Sequence, residues 1–135
     1  MMIPDDLQYT DQDEWVRLEG EHASVGITEH RQAALGPLIA VEPVAVGSSL
    51  RRGDLAVTLR SQASVHTLAA PLSGTVVAVN TRLASEPGLI NADPYGEGWL
   101  LKFRIEAGEE IEHLRDASFY SEQIAAAEVS DVESP

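Results

Sequence analysis

One lysine, Lys102, stands among nine basic residues, and the other eight are arginines. A lysine amine is the group through which many proteins hold a cofactor covalently, so such an attachment must use Lys102 or the α-amine. The chain has no cysteine, which excludes thiolate nucleophiles, dithiol exchange and cysteine-ligated zinc. Histidines, serines and carboxylates are the remaining groups that could do chemistry.

The four histidines show no spacing that would bind a metal ion. A two-histidine site on a helix needs an i, i+4 pair, and no two of these residues are four apart: His22, His30, His66 and His113. We expect four surface side chains and no metal site.

Catalytic motifs are also missing. The sequence has no G-x-S-x-G nucleophile motif and no glycine-rich phosphate loop, and no helix is predicted after residues 96–98 (GEG). Paired carboxylates lie in polar surroundings that indicate a solvated acidic face: Asp5 with Asp6, Asp11 with Asp13, and Glu109 with Glu110. We predict no catalytic residues and no enzymatic activity.

Length and charge limit the organisation and the partners of the chain. With 135 residues, 44% of them apolar, the sequence fits one globular domain. Its formal net charge of −13 repels nucleic-acid backbones and anionic membrane surfaces. No apolar run reaches the roughly 18 residues that span a bilayer, and residues 1–10 do not resemble a signal peptide. We expect an acidic, cytoplasmic protein.

The elements that position these residues are mostly short strands separated by turns, as in a small sandwich or barrel. The predicted strands are 14–18, 23–27, 38–41, 55–60, 65–69, 74–79 and 99–105. In the last strand, alternation predicts Leu100, Lys102 and Arg104 on one face, which leaves Lys102 towards solvent. A short helix is predicted between an N-cap at Thr28 and Gly36, and a helical turn after residue 80.

From residue 108 onward the spacing predicts a helix. Phe119, Tyr120, Ile124 and Ala127 form one narrow apolar stripe that should dock on the sheet. We divide the chain into an N-terminal extension (1–8), one domain (9–128) and a flexible acidic tail (129–135).

Six short motifs are typical of one known family: EWV at 14–16, VGIT at 25–28, ALG at 34–36, GD at 53–54, APLSG at 70–74 and NADPYGEGWL at 91–100. From about Tyr9 to about Tyr120 the chain resembles the H protein of the glycine cleavage system. The resemblance implies a mainly β fold, a barrel-sandwich hybrid of the lipoyl-domain type. In that fold two small antiparallel sheets carry short helices and a C-terminal helix.

Family H proteins are carriers that hold lipoate on a lysine at a hairpin tip, usually within Glu-Ser-Val-Lys-Ala. The matching tip here consists of Arg60, Ser61, Gln62, Ala63 and Ser64. The resemblance therefore aligns Ala63 with the lysine and Arg60 with an acidic residue. Because an alanine methyl cannot form an amide, we expect no lipoate at this position and no cofactor.

Two interpretations of the tip stay open. Arg60 could join Arg51 and Arg52 in a basic patch that docks on an acidic surface. Alternatively, a tip that no longer carries lipoate has drifted in sequence.

The first functional hypothesis is a non-catalytic, non-lipoylated homologue that acts as a scaffold or pseudo-carrier. Its partners would be proteins of a glycine cleavage system or another lipoate-dependent system, with no nucleic acid and no membrane, and we expect a monomer. The alternative is a genuine H protein in glycine catabolism that carries an aminomethyl group through another attachment. A remote alternative is a small enzyme that uses the cleft under the hairpin.

Overall fold

Short strands in two sheets form the framework of the fold. The computed structural model describes residues 2–62 and 64–133, with side chains up to residue 126. Its strands are β1 (Gln8–Tyr9), β2 (Glu14–Glu19), β3 (His22–Ile27), β4 (Leu38–Pro43), β5 (Ser49–Leu50), β6 (Leu55–Ser61), β7 (Val65–Ala69), β8 (Gly74–Val79) and β9 (Leu101–Ile105). Its helices are α1 (Glu29–Leu35), α2 (Leu89–Ala92), α3 (Ala117–Glu133) and two 3₁₀ helices, Thr81–Ala84 and Gly108–His113.

The larger sheet has the strand order β1-β2-β3-β9-β8-β5, and the smaller sheet has the order β4-β6-β7. All of these neighbours pair antiparallel. The mainly β fold with two antiparallel sheets, short helices and a C-terminal helix is therefore confirmed. None of the helices in the described ranges is long and apolar enough to cross a membrane.

The main core contains alternate side chains from both sheets. Leu59 of β6 and Phe103 of β9 are fully buried, and Val76 of β8 is 1% exposed. Successive side chains of a strand point to opposite faces, and strands such as β3 and β9 accordingly contribute alternate residues to this core. The hydrophobic effect on these faces holds the two sheets together.

A second apolar cluster fixes α3 to the N-terminal strands. The rings of Tyr9 and Tyr120 stack at 4.7 Å between centroids. The Tyr120 hydroxyl donates to Asp13 Oδ1 at 2.7 Å and lies 2.6 Å from Thr28 Oγ1. Burial raises the pKa of Tyr120, so its hydroxyl keeps its proton and stays a donor.

A glycine makes room for the largest buried side chain. Trp15 of β2 pairs with Gly26 of β3, and a Cβ at Gly26 would lie 2.5 Å from the indole. The indole Nε1 donates to the Pro94 carbonyl at 2.8 Å. This hydrogen bond connects the β2–β3 hairpin to the turn that precedes β9.

The short helix α1 agrees with the sequence analysis. The hydroxyl of Thr28 accepts from the Arg31 N–H at 3.2 Å, which is an N-cap. Gly36 ends the helix with φ of +76°, and its N–H donates to the Gln32 carbonyl. The predicted cap and end of this helix are confirmed.

The C-terminal region differs from the prediction of a helix from residue 108 onward. After the 3₁₀ helix the chain extends, and Tyr9 and Arg115 exchange two backbone hydrogen bonds of 2.7 and 2.8 Å. Helix α3 starts only afterwards, where Asp116 Oδ1 accepts from the Phe119 N–H. The pairing with β1 outcompetes a helical turn, so the predicted helical region is interrupted at residues 114–116, while the predicted C-terminal helix is confirmed.

The predicted stripe on α3 is also wrong in part. Ala117, Tyr120 and Ile124 are buried, whereas Phe119 is 53% exposed. Positions i, i+3 and i+7 share one side of a helix, and Phe119 lies on another side. The side chain of Ala127 lies outside the described residues, as do residues 134 and 135 of the predicted tail, whose first residues belong to α3.

Strand β9 begins later than predicted. It starts at Leu101, and Leu100 is 1% exposed although alternation predicted it on the solvent face. The Leu100 N–H donates to the Val25 carbonyl, and its carbonyl accepts from the Asn80 N–H. The chain enters the sheet from α2 and the following turn, so alternation starts only after Leu100.

Candidate functional site

The β6–β7 hairpin presents the predicted interaction tip. The Ser61 N–H donates to the Ser64 carbonyl at 3.0 Å and closes the turn. Arg60, Gln62 and Ser64 are exposed, and Ser61 is partly exposed. Ala63 lies outside the described residues. Four of the five predicted tip residues thus lie together at one end of the hairpin.

The charge of Arg60 is paired along the sheet. Its Nε lies 3.0 Å from Glu42 Oε1 on β4, and the two side chains are 45% and 57% exposed. An ion pair this exposed contributes little to stability, typically about 0–1 kcal/mol. It does, however, direct the guanidinium over β4 instead of beyond the turn.

The other two arginines of the predicted patch lie at the opposite end of β6. Arg51 and Arg52 precede Gly53, whose N–H donates to the Ala70 carbonyl at the base of the hairpin. From Leu55, where β6 begins, to Arg60 the strand rises about 17 Å. The prediction of one basic patch from the three arginines is therefore wrong.

Ser64 and His66 form a short side-chain contact at the tip. Ser64 Oγ lies 2.7 Å from His66 Nε2. Among the described hydrogen bonds, no carboxylate contacts the imidazole, and Ser64 is exposed. A serine nucleophile needs an oriented base and a site for the developing oxyanion, so this contact is a polar link across the turn.

Lys102 lies within the larger sheet and not at a turn. On β9 it pairs with Ser24 of β3 on one side and with Ala78 of β8 on the other. Its ammonium lies 5.0 Å from the centroid of the Trp99 ring. The Lys102 side chain is half-buried, and its backbone lies between two paired strands.

A cavity of about 290 Å³ opens at the base of the hairpin. Four stretches of the chain line it: residues 10–12 with Glu14, residues 52–53 and 69–71 at the hairpin base, and the extended segment 113–115. The volume is near the lower end of small-ligand pockets, which span roughly 300–1,000 Å³. This concave site lies at the opposite end of the hairpin from the tip.

Glu14 is the buried charged group of this cavity. It is 2% exposed, its Oε1 accepts from Thr10 Oγ1 at 3.0 Å, and its Oε2 has no partner. Desolvation raises the pKa of Glu14 to about 8, while Thr10 and Arg31 oppose the shift. Burial therefore favours the protonated form of this carboxyl group at neutral pH.

The sequence analysis missed Glu14. It treated the residue only as part of a strand, because the neighbouring Asp11 and Asp13 indicated a solvated acidic segment. In the structure the turn before β2 places Glu14 in the interior instead. Asp13 in this turn adopts φ of +62°, and its carbonyl accepts from the Thr28 N–H. A signal that could have found the site is a charged residue at the first position of an apolar strand.

No metal centre accompanies this site in the described ranges. Within residues 2–62 and 64–133, no three His, Asp or Glu side chains could together hold a metal ion. The chemistry that the cavity supports is hydrogen bonding and charge pairing at Glu14.

Sequence comparison finds similar proteins over nearly the whole chain. The family model described as glycine cleavage H-protein matches residues 7–127. A glycine cleavage system H protein of Methylacidiphilum infernorum is 42% identical over 122 residues, which are 90% of this chain and 95% of that protein. The H protein of Rubrobacter xylanophilus is 50% identical over 103 residues, 76% of this chain and 82% of that protein.

A solved structure agrees with the sequence comparison. The crystal structure of a glycine cleavage system H protein from Mycobacterium marinum superposes with a TM-score of 0.81 and 34% identity. The superposition covers 91% of this chain and 99% of that one. The chain therefore belongs to the glycine cleavage H-protein family, whose members are lipoyl carriers and not catalysts.

Proposed function

We propose that this chain is an H-protein homologue without lipoate on its hairpin tip, and that it binds lipoate-dependent proteins as a scaffold or pseudo-carrier. The observation that carries the proposal is the alanine at residue 63, which the resemblance to the family aligns with the lysine. A methyl group offers no nitrogen for the amide bond to lipoate. The neighbouring residues Arg60 and Gln62 also differ from the family's motif. Several differences at the tip favour evolutionary divergence over a single substitution of the lysine.

The surroundings of Lys102 support the same proposal. Lipoate attachment to family members takes place at a lysine on an exposed turn, whereas Lys102 lies between two paired strands. Its ammonium is held over Trp99 at 5.0 Å, a favourable cation–π geometry. An attaching enzyme would have to separate this contact and reach into a sheet surface.

The tip end of the smaller sheet offers a surface for a protein partner. Ile39 and Val65 are 55% and 53% exposed, and Val65 pairs with Arg60 across the hairpin. Exposed aliphatic side chains beside a charged rim are typical of interaction sites. We infer that partners in a glycine cleavage system or another lipoate-dependent system bind here, and that the protein is a cytoplasmic monomer.

The first test is the intact mass of the protein from its native host, with peptide mapping of residues 60–82 and of the Lys102 segment. The expected result is the unmodified mass. A lipoyl-sized increment on any residue would overturn the proposal of a non-lipoylated chain.

A gain-of-function variant sharpens this test. We expect wild-type protein to remain unmodified with lipoate ligase, ATP and lipoate, whereas Arg60→Glu/Gln62→Val/Ala63→Lys gains one lipoyl group. Lys102→Arg in the variant background is the control and should not change the increment. Modification of the wild type that disappears in Lys102→Arg would identify Lys102 as the attachment site.

Partner binding tests the scaffold role itself. We expect measurable affinity of the unmodified chain for the decarboxylase, the aminomethyltransferase, the dihydrolipoamide dehydrogenase or a lipoylated H protein. Ile39→Ser/Val65→Ser should weaken this binding, and exposed Val77→Ser on β8 is the matched control. Absence of binding to all four proteins would refute the role.

A second candidate function is the ordinary H-protein role with a different attachment. It is favoured by the family match over residues 7–127. This candidate requires a covalent adduct on the purified chain and transfer of methylamine to it from glycine by the decarboxylase. Loss of both signals excludes it.

A further inference from the structure

The first turn of α3 carries an aromatic ring that the proposed function does not use. Phe119 is 53% exposed. The other six aromatic residues of the chain are buried or half-buried: Tyr9, Trp15, Tyr95, Trp99, Phe103 and Tyr120. An exposed phenyl ring costs solubility without contributing to the core, so its surroundings indicate whether it is part of a binding surface.

Phe119 lies in an open groove. A depression of about 550 Å³ separates α3 from the extended segment that precedes it, and it is lined by residues 112–116, 118, 119 and 122. The Arg115 guanidinium stacks over the Phe119 ring at 4.8 Å and donates to Gln123 Oε1. These two contacts fix the ring and already engage the positive charge of Arg115.

The rim of this groove is acidic. Glu112, Asp116 and Glu122 all line it, and all three are exposed. The charge of Asp116 also caps α3 by accepting from the Phe119 N–H. A groove with an apolar floor and carboxylates on the rim is complementary to long cationic side chains, whose stems are apolar and whose ends are charged.

We infer that this Phe119 groove docks a lysine- and arginine-rich segment of a partner protein. The aliphatic stem of a basic side chain lies against Phe119, and its charged end meets Glu112 or Glu122. A second copy of the chain is a poor occupant, because two molecules of net charge −13 repel each other. The groove lies beside the base of the hairpin, away from the tip, and its binding does not depend on lipoylation.

Fluorescence anisotropy with a labelled Arg-Lys-Leu-Arg-Lys peptide tests this inference, with Glu-Glu-Leu-Glu-Glu as the reversed-charge probe. At about 150 mM salt, where distant charges are screened, we expect only the basic peptide to bind the full chain. Phe119→Ala should raise its Kd about fivefold by removing the ring. Glu112→Gln/Glu122→Gln should raise the Kd about tenfold.

The matched control is Glu19→Gln/Glu21→Gln, which removes the same charge from exposed positions at the β2–β3 turn. It should change the Kd less than twofold. Equal weakening by the two double variants would mean general attraction to an acidic protein and would overturn the groove. An unchanged Kd in Phe119→Ala, at an unchanged urea midpoint, would also overturn it.

Backbone amide shifts give an independent readout. Addition of the basic peptide to labelled protein should move resonances of residues 112–122 more than those of the hairpin tip. Larger shifts at residues 60–65 would assign the peptide to the tip and contradict the inference.

Discussion

The two ends of the β6–β7 hairpin differ in how much of the molecule depends on them. At the tip, exposed side chains contact near neighbours, as in the 2.7 Å pair of Ser64 and His66. At the base, Glu14 borders a cavity built from four separate stretches of the chain. Near it, the Tyr120 hydroxyl joins α3 to Asp13 and Thr28.

This difference predicts that the tip tolerates substitution better than the base does. Side chains in contact only with solvent and local neighbours contribute little to the free energy of unfolding. Buried side chains shared by several elements contribute several kcal/mol each. Substitutions at the tip can therefore leave the family's fold unchanged.

The largest expected effect is at Tyr120. Tyr120→Ala removes a fully buried ring that stacks on Tyr9, and we expect the free energy of unfolding to fall by about 4 kcal/mol. Urea denaturation followed by tryptophan fluorescence measures this change. Phe119→Ala, one residue earlier and exposed, is the control and should cost less than about 1 kcal/mol. Similar losses in both variants would contradict the docking of α3.

The next effect tests the close approach of β2 and β3. Gly26→Ala places a methyl 2.5 Å from the Trp15 indole, and overpacking of this kind costs about 2–3 kcal/mol. Gly108→Ala is a matched control, because a Cβ there meets no atom within 4 Å. We expect a lower urea midpoint and altered Trp15 fluorescence only in Gly26→Ala. An unchanged midpoint would show that the indole has room to move.

The Glu14 site should make stability depend on pH. Burial raises the pKa of Glu14 from 4.5 to about 8 in the folded protein. Between these values the folded state keeps a proton that the unfolded state has lost, so stability falls as pH rises through 8. Compared with Glu14→Gln, the wild type should lose about 2–4 kcal/mol more between pH 5 and pH 9.

Urea titrations at pH 5, 7 and 9 measure this difference. Glu19→Gln, on the exposed end of the same strand, is the control and should retain the wild-type slope. Parallel pH profiles of the wild type and Glu14→Gln would show that the carboxyl group is solvated.

Much of the fold could be predicted from local patterns. The bounds of β7 and β8 and the caps of α1 depend on turn residues and alternation over a few positions. The break before α3 could not, because it arises from pairing between Tyr9 and Arg115, which are far apart in sequence. The helical spacing of apolar residues also could not show that Phe119 is exposed while the adjacent Tyr120 is buried.

The candidate site was predictable only at the tip, and only through a family motif. Arg60, Ser61, Gln62 and Ser64 are contiguous, so their grouping follows from a single hairpin. The burial of Glu14 depends on a left-handed Asp13 and on a helix more than a hundred residues later. The acidic residues around Glu14 predicted an exposed side chain, whereas tertiary packing buries it.

The smallest expected effect is at the tip itself, and it is the sharpest check of the comparison. Ala63→Lys should change the free energy of unfolding by less than about 0.5 kcal/mol, because Gln62 and Ser64 on either side are exposed. The same substitution at Ala56, which is 3% exposed on β6, buries a charge and should cost more than about 3 kcal/mol. If Ala63→Lys destabilised the protein as Ala56→Lys does, the tip would be structurally constrained. Its alanine would then reflect packing and not the loss of an attachment site.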